Sequence, residues 1–486
     1  MPLYDKAFWA TLFLAAGLIA AGTSTFGVGA TPFRPISFTA VVIIFFSAAL
    51  LSTLLSGSLN RLWLSSLILL SFIGYGYSSA VLGLTNEHLP PPGIPSSLTG
   101  TIIGAPLAYE RSQSFSFRLN PPYHGLIYVY TDLALSFHRG DRLALTGTPL
   151  ISPSGRAIIR WPSISLLERP RDFLSPLSRL RQNVIDSFRR ALPPASAALL
   201  SGLVLGDRSG FTSAFRDSLS ASGTTHLVAL SGYNITIIIS AFGAALGSLF
   251  SRRLTLALTT VGIVLFVLLV GPEPSIIRAA VMGGIALLAL VAGRRYSVRN
   301  AIAISALLML VADPLAFFDI GFELSFLALL GIVYLLPALS ALLGWEESGG
   351  SFLNWRGHLL TTASAQLAVA PVLLYYFHSV SILSLLSNLL ILGTVPYVMF
   401  LGGLIAAASI FGAAGRLLAD LIALLANLIL TYQIGVIEFF ASLPLGRISS
   451  DLGLLGILLS ILYYLAFIFL IIRHYYSLRP NQNKNY

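Results

Sequence analysis

Apolar positions fall in long unbroken runs, separated by short polar breaks. A helix needs about 20 mainly apolar residues to cross the hydrocarbon core. Runs of that size lie near 8–26, 38–56 and 62–83. Hydropathy then drops from about Thr85 to Leu192. Nine more runs follow, near 225–250, 254–271, 275–293, 300–317, 320–343, 357–377, 381–410, 416–442 and 451–472. The pattern predicts a polytopic α-helical membrane protein of about 12 transmembrane helices, interrupted by one polar insert. Lys6 ahead of a short apolar run also has the form of a signal peptide. Two further runs directly behind it favour a retained first span.

The insert changes period. Residues 85–170 read as all-β, entered through the stiff Pro90-Pro91-Pro92-Gly93 linker. Strand-like runs cover Leu98–Gly104, Phe115–Leu119, Ile127–Tyr130, Arg142–Gly147 and Ala157–Trp161. Phe115, Phe117 and Leu119 alternate with Ser116 and Arg118, as on a half-buried strand. Five short strands suit a small barrel, and an OB-like fold is the natural five-stranded candidate. Residues 172–192 return to a helical period. Leu177, Leu180, Val184, Ile185, Phe188 and Leu192 share a face, and Arg179, Arg181, Arg189 and Arg190 are expected elsewhere on the helix. Such a helix lies in the membrane interface.

Composition narrows the class. Of 486 residues 56% are hydrophobic and 10% charged, against about 25% charged in soluble domains. A soluble enzyme and a disordered chain are both excluded. Cysteine is absent, which removes disulfides, thiol chemistry and Cys-ligated zinc. The formal net charge is +10, and the basic excess is arginine, since Lys6 and Lys484 are the only lysines. Basic residues near span ends favour the cytoplasm. With the N-terminus inside, the inner segments hold Lys6, Arg61, Arg252, Arg253, Arg294, Arg295, Arg299, Arg356, Arg416, Arg473, Arg479 and Lys484, whereas the short outer loops hold Arg34 and Arg447. Both termini are therefore expected in the cytoplasm and the insert outside.

In the second half of the chain polar residues cluster at span ends and Gly/Pro breaks. The first cluster is Gly202 to Gly210, containing Asp207-Arg208-Ser209, followed by Phe215-Arg216-Asp217. The second runs from Ser222 to Asn234 and includes His226 and Ser231-Gly232-Tyr233-Asn234. The third is Gly271-Pro272-Glu273-Pro274 with Arg278. The fourth is Asp313-Pro314 with Asp319-Ile320-Gly321-Phe322-Glu323-Leu324-Ser325-Phe326. The fifth joins Gln366 and Pro371 to His378-Ser379-Val380-Ser381 and Asn388. This ordered series resembles the ComEC family, the DNA-uptake channel of natural competence, over roughly 199–472, and 30–190 resembles its N-terminal module. The resemblance implies transport of single-stranded DNA across the cytoplasmic membrane. It also implies a separate DNA receptor, a cytoplasmic motor and, where one strand is degraded, a separate nuclease.

Two departures qualify it. Where many members read Ser-Gly-Leu-His, this chain has Ser231-Gly232-Tyr233-Asn234, which keeps a hydrogen-bonding group but loses a titratable one. Many members also carry a metallo-β-lactamase-like domain. No His-x-His-x-Asp-His motif occurs here, so that nuclease role is not expected of this chain. Neither is ATP hydrolysis, since no Gly-x-x-x-x-Gly-Lys-[Ser/Thr] pattern is present. No catalytic residue, metal ligand or cofactor is expected.

The candidate chemistry is therefore that of a path. A charge at mid-span costs about 2.5–3.5 kcal/mol on insertion scales and needs a polar partner or a wet cavity. Arg278, one turn beyond Pro274, is the first candidate as a bidentate phosphate contact. An ion pair with Glu273 or Glu323 is the competing reading. Asp207, Arg208, His226, Ser231, Gly232, Asn234, Glu273 and Glu323 are the other path candidates. His226 and Ser231 are five apart, about 140° different in direction on a helix, which speaks against a protease pair. In the insert, Arg118, Arg142, Arg156 and Arg160 lie among aromatics that include Tyr128, Tyr130 and Trp161, as in single-strand-binding OB-folds. The same aromatics, Phe115 and Phe117 among them, are equally suited to fill a barrel interior.

The expected organisation is N-terminal spans (1–84), an OB-like extracytoplasmic domain (85–170), an amphipathic interfacial helix (171–194), a competence-type channel domain (195–474) and a cytoplasmic tail (475–486). Two other functions fit the hydropathy: a small-solute or lipid transporter, and a non-conducting receptor presenting the β domain. A topology reporter fused near Ser154 should read outside the cytoplasmic membrane and one at the C-terminus inside. The opposite pattern would reverse the orientation.

Overall fold

The computed structural model describes residues 89–471 together with Gly74 and Tyr77, apart from positions 104–106, 109–111, 124, 133–136, 138–139, 152–156, 170–174, 229–231, 272, 314–315, 318, 346–354, 378, 382, 444–446, 450–455, 457–458, 461 and 468. The spans near 8–26 and 38–56, all of the 62–83 span except Gly74 and Tyr77, the 475–486 tail, Arg156 and Ser231 lie outside the described residues.

The insert folds as one sheet of β1 (Ser96–Ile102), β2 (Leu107–Ala108), β3 (Ser112–Leu119), β4 (Leu126–Asp132), β5 (Arg142–Gly147), β6 (Pro149–Ile151), β7 (Ala157–Arg160) and β8 (Ser163–Glu168). The order is β6-β7-β4-β3-β1-β5-β8, with β2 paired to β3. Only the β4–β7 pairing is parallel. All five expected strands are present, and β2, β6 and β8 are additional. Inward residues of alternating parity make the core: Leu98, Ile102, Phe115, Phe117, Leu119, Ile127, Val129, Leu143, Leu145 and Ile159. Gly100 is required there, because a Cβ would overlap the Arg118 carbonyl and sit 2.8 Å from the Phe117 ring.

Helices follow. α1 (Ser175–Ala191) is amphipathic, and α2 (Pro194–Leu205) is apolar but too short to span. After them come α3 (Ser213–Ala221), α4 (Thr225–Val228), α5 (Gly232–Gly247), α6 (Arg252–Val270), α7 (Pro274–Val291) and α8 (Val298–Ala312). α9 (Ile320–Leu330) continues through a π-helical turn, Gly331–Leu335, into α10 (Leu336–Leu343). α11 (Trp355–Phe377), the short β9 (Ser379–Ser381), α12 (Ser384–Leu392), α13 (Val395–Ala408), α14 (Gly412–Ser442), β10 (Arg447–Ser449) and α15 (Leu462–Ile471) follow among the described residues.

Among the described residues five helical stretches are long and apolar enough to cross a membrane: Arg252–Val270, Pro274–Val291, Ile320–Leu343, Trp355–Phe377 and Ala414–Ser442. α12 and α13 form a sixth if taken together, but they are bent by 48° at their junction, so the expected single run 381–410 is a broken span or a re-entrant loop. Within the expected 225–250 span, the described residues form α4 and α5, and α5 alone is too short to cross. α14 shows why hydropathy alone predicted these elements. Ala419, Ala423, Ala426, Leu430 and Ile437 are buried, while Leu417, Leu421, Leu424 and Leu428 are exposed on the opposite side. An apolar outer face is what lipid, rather than water, requires.

Pro371 lies inside α11 and has no N–H, so the Leu367 carbonyl four residues earlier loses its helical donor. The Tyr463 hydroxyl donates to that carbonyl at 2.8 Å, and Tyr464 donates to Ala368 at 3.0 Å. α15 therefore caps the proline break from outside α11. Tyr463→Phe should cost about 1 kcal/mol in thermal unfolding in detergent, the net worth of one such bond. In a Pro371→Ala background, which restores the N–H, that cost should vanish. An equal cost in both backgrounds would show that Tyr463 acts through packing.

Candidate functional site

The site is built where α2, α5, α7 and α9 meet. Gly271 has φ 116°, a conformation open to glycine, and the chain re-enters a helix with Glu273 at its N-cap and Pro274 in its first turn. This fixes Arg278 in the second turn of α7, 9% exposed. Its Nη1 donates to the Ser325 carbonyl of α9, and its guanidinium lies 5.7 Å from the Phe326 ring centre. Its Nε is sealed without a hydrogen-bond partner. On the other side is Gly232, the first residue of α5. A Cβ there would come within 2.9 Å of Nη2, so the absent side chain is the space the guanidinium occupies. Among the described residues Arg278 makes no ion pair, which speaks against the competing reading of a pairing with Glu273 or Glu323.

Glu323 is fully buried in the first turn of α9, whose N-cap Asp319 accepts the Gly321 N–H at 2.8 Å. Its Oε1 accepts from the Tyr376 hydroxyl of α11 at 3.4 Å. It ties α9 to α11 while Arg278 ties α9 to α7. Asn234 is also buried, and its Nδ2 donates to the Leu203 carbonyl at 3.1 Å. That carbonyl belongs to the last turn of α2, where carbonyls lack helical donors. The amide thus joins α5 to α2.

α2 ends at Gly206 in the left-handed region, φ 67°, with Gly206 and Asp207 N–H groups returning to the Gly202 and Ser201 carbonyls. Asp207 Oδ2 accepts from Ser209 Oγ at 2.8 Å. From α1, Arg181 donates to the Leu205 carbonyl at 3.3 Å. Burial lowers the Arg181 pKa, and the Asp207 and Glu273 carboxylates oppose that shift. This corrects the expected helical face: Arg181 turns inward while Leu180 is 43% exposed. Arg208 Nε is buried without a hydrogen-bond partner. His226 stands exposed on the one-turn helix α4.

In the β domain, Arg118, Arg142 and Arg160 are exposed. Arg142 is engaged by Glu168 at 2.9 Å. Tyr128 and Tyr130 pair with Ser116 and Ser114, and Tyr130 pairs with Arg160, so Arg118, the two half-buried tyrosines and Arg160 share the outward face. Trp161 is 61% exposed with φ 55°, a conformation uncommon for a bulky residue. Phe115 and Phe117 belong to the core and leave the set of exposed aromatics.

Arg118, Arg278, Gly232 and Glu323 are candidates on sequence; Ser325 and Phe326 fall within the fourth polar cluster without being candidates, and Tyr376 and Arg181 are not candidates. Arg181 was within reach, being four residues beyond Leu177 and three before Val184 on the inward stripe. Ser325 acts through its backbone, which no side-chain pattern records.

Apolar helices with exposed leucines, broken at polar clusters, and a separate β-sheet domain define a polytopic helical membrane protein. A family model described as Competence protein matches residues 203–475. That is more than half of the chain, and the chain belongs to this family, the ComEC family. ComE operon protein 3 of Bacillus subtilis (strain 168) is 29% identical over 250 residues, covering 50% of this chain and 31% of that protein. The matched part is thus about a third of the relative's length. No solved structure matches significantly.

Proposed function

We propose that the chain forms the path by which single-stranded DNA crosses the cytoplasmic membrane during DNA uptake, with both termini inside. In this reading three N-terminal spans and nine later ones frame the path, and the β domain is an OB-like extracytoplasmic module that meets the strand first. The observation that carries the proposal is Arg278, a buried guanidinium held by a carbonyl, a ring face and a glycine, within the family-matched region. A strand carries one negative charge per phosphate. A guanidinium neutralised by a carboxylate would not attract it, whereas one held by neutral groups keeps its charge for the ligand. Movement and strand degradation are assigned to partners: a separate receptor, a cytoplasmic motor and a separate nuclease. The described residues act here by binding and not by catalysis.

Arg278→Ala should abolish uptake of labelled DNA into the cytoplasm with the protein inserted at normal level. Arg278→Lys should retain part of it if charge suffices, and little if the planar fork is needed. Gly232→Ala should lower uptake while the fold holds, because the atom it displaces is the end of a flexible side chain. Normal uptake by Arg278→Ala would make the residue a structural link between α7 and α9.

The outward face of the β domain should bind single-stranded DNA without strong sequence preference, and Arg118→Ala with Arg160→Ala should weaken that binding. Affinity should fall steeply with salt, since phosphate contacts release counterions. Binding unaffected by salt or by both substitutions would assign the face to another partner.

A further inference from the structure

A pocket of about 380 Å³ opens between α1, α2 and the turn that follows α2, lined by Arg189, Pro194, Ala198, Ser201, Asp207 and Gly210. The turn doubles back so closely that a Cβ on Gly210 would lie 2.9 Å from that of Ala198. One wall is cationic and one anionic, and a single hydroxyl links them. Arg189 Nη2 donates to Ser209 Oγ at 3.4 Å, and Ser209 Oγ donates to Asp207 Oδ2 at 2.8 Å. The other contact of Arg189 is a loose ion pair with Asp186 at 3.9 Å on an exposed surface. Asp207 keeps its second carboxylate oxygen, and Ser201 Oγ, which donates to the Ala197 carbonyl at 2.8 Å, keeps lone pairs. Pro194 and Ala198 supply an apolar side.

We propose that this pocket binds the headgroup of a zwitterionic aminophospholipid, phosphatidylethanolamine in type. Arg189 receives the phosphate through charge-assisted hydrogen bonds, and Asp207 with Ser201 receives the primary ammonium. The separation set by the Ser209 link suits the few ångströms between phosphorus and nitrogen in phosphoethanolamine. The pocket lies beside amphipathic α1, whose last turn carries the exposed Arg189 and Arg190, and beside apolar α2, a setting that places headgroups within reach. A DNA phosphate would satisfy Arg189 but be repelled by Asp207. A phosphatidylglycerol lacks the ammonium, and a phosphatidylcholine ammonium has no N–H to donate. The inference needs the membrane setting only, and stands or falls separately from the DNA path.

The test is native mass spectrometry of the full chain released from mixed micelles holding equal phosphatidylethanolamine, phosphatidylglycerol and phosphatidylcholine. Phosphatidylethanolamine should be retained over each of the others by about tenfold, the worth of one charge-assisted hydrogen bond. Asp207→Asn should reduce its retention to that of phosphatidylcholine, and Arg189→Gln should weaken phosphatidylethanolamine and phosphatidylglycerol alike. Should either variant fail to fold, competition on the unaltered chain decides: glycerophosphoethanolamine should displace the lipid and glycerophosphocholine should not. Equal retention of all three lipids, a preference for phosphatidylglycerol, or displacement by a single-stranded oligonucleotide would each overturn the assignment.

Discussion

The arrangement of the helices turns on one buried guanidinium. Placing Arg278 among apolar helices is costly, and the chain offsets the cost without a carboxylate. It offers a backbone carbonyl from α9, the face of Phe326 and the missing side chain of Gly232. Each requirement fixes an element. α7 starts at Pro274, beyond the Gly271 turn, so that Arg278 reaches α9; α9 presents the Ser325 carbonyl; and α5 begins with Gly232, which leaves the guanidinium its room. The cation survives with its charge uncancelled, so the region stays attractive to anions.

Hydrocarbon imposes a second constraint, since a broken helix exposes backbone groups that no water satisfies. Polar side chains meet several of the breaks. Asn234 takes a terminal carbonyl of α2, Asp319 takes an N–H at the start of α9, and Thr212 takes the Phe215 N–H at the start of α3. Tyr463 takes the carbonyl released by Pro371, and Gln433 reaches Thr394 at the bend between α12 and α13. The breaks can therefore be discontinuous without being loose, as the proposed path requires.

How much of this was legible depends on where each signal resides. The long spans follow from hydropathy because lipid accepts apolar side chains on every face, as the exposed leucines of α14 show. The β core follows from parity, with Phe115, Phe117 and Leu119 inward. The edge strand β8 was missed because Leu166 and Leu167 are adjacent and both exposed, so no alternation marks it. The bend at 393–394 was missed because both halves are apolar. Arg278 and Gly232 were each legible as candidates, but their contact was not, since it joins residues 46 positions apart through an absent side chain.

The polar residues of the membrane region divide by what they serve, and the division bears on function more than polarity does. Asn234 stands where the sequence resemblance leads one to expect a histidine. A histidine suggests proton chemistry, but here the position is buried and spent on the end of α2, so its hydrogen-bonding capacity, and not a titration, is what holds the fold. Asp319 and Tyr463 are spent in the same way. Arg278 and Arg208 keep buried Nε groups that no protein acceptor takes, and Asp207 keeps a carboxylate oxygen. Groups of the first kind can be exchanged for others that satisfy the same backbone atom. Groups of the second kind retain hydrogen-bonding capacity that the fold does not use, and it is to these that the proposed ligands are assigned.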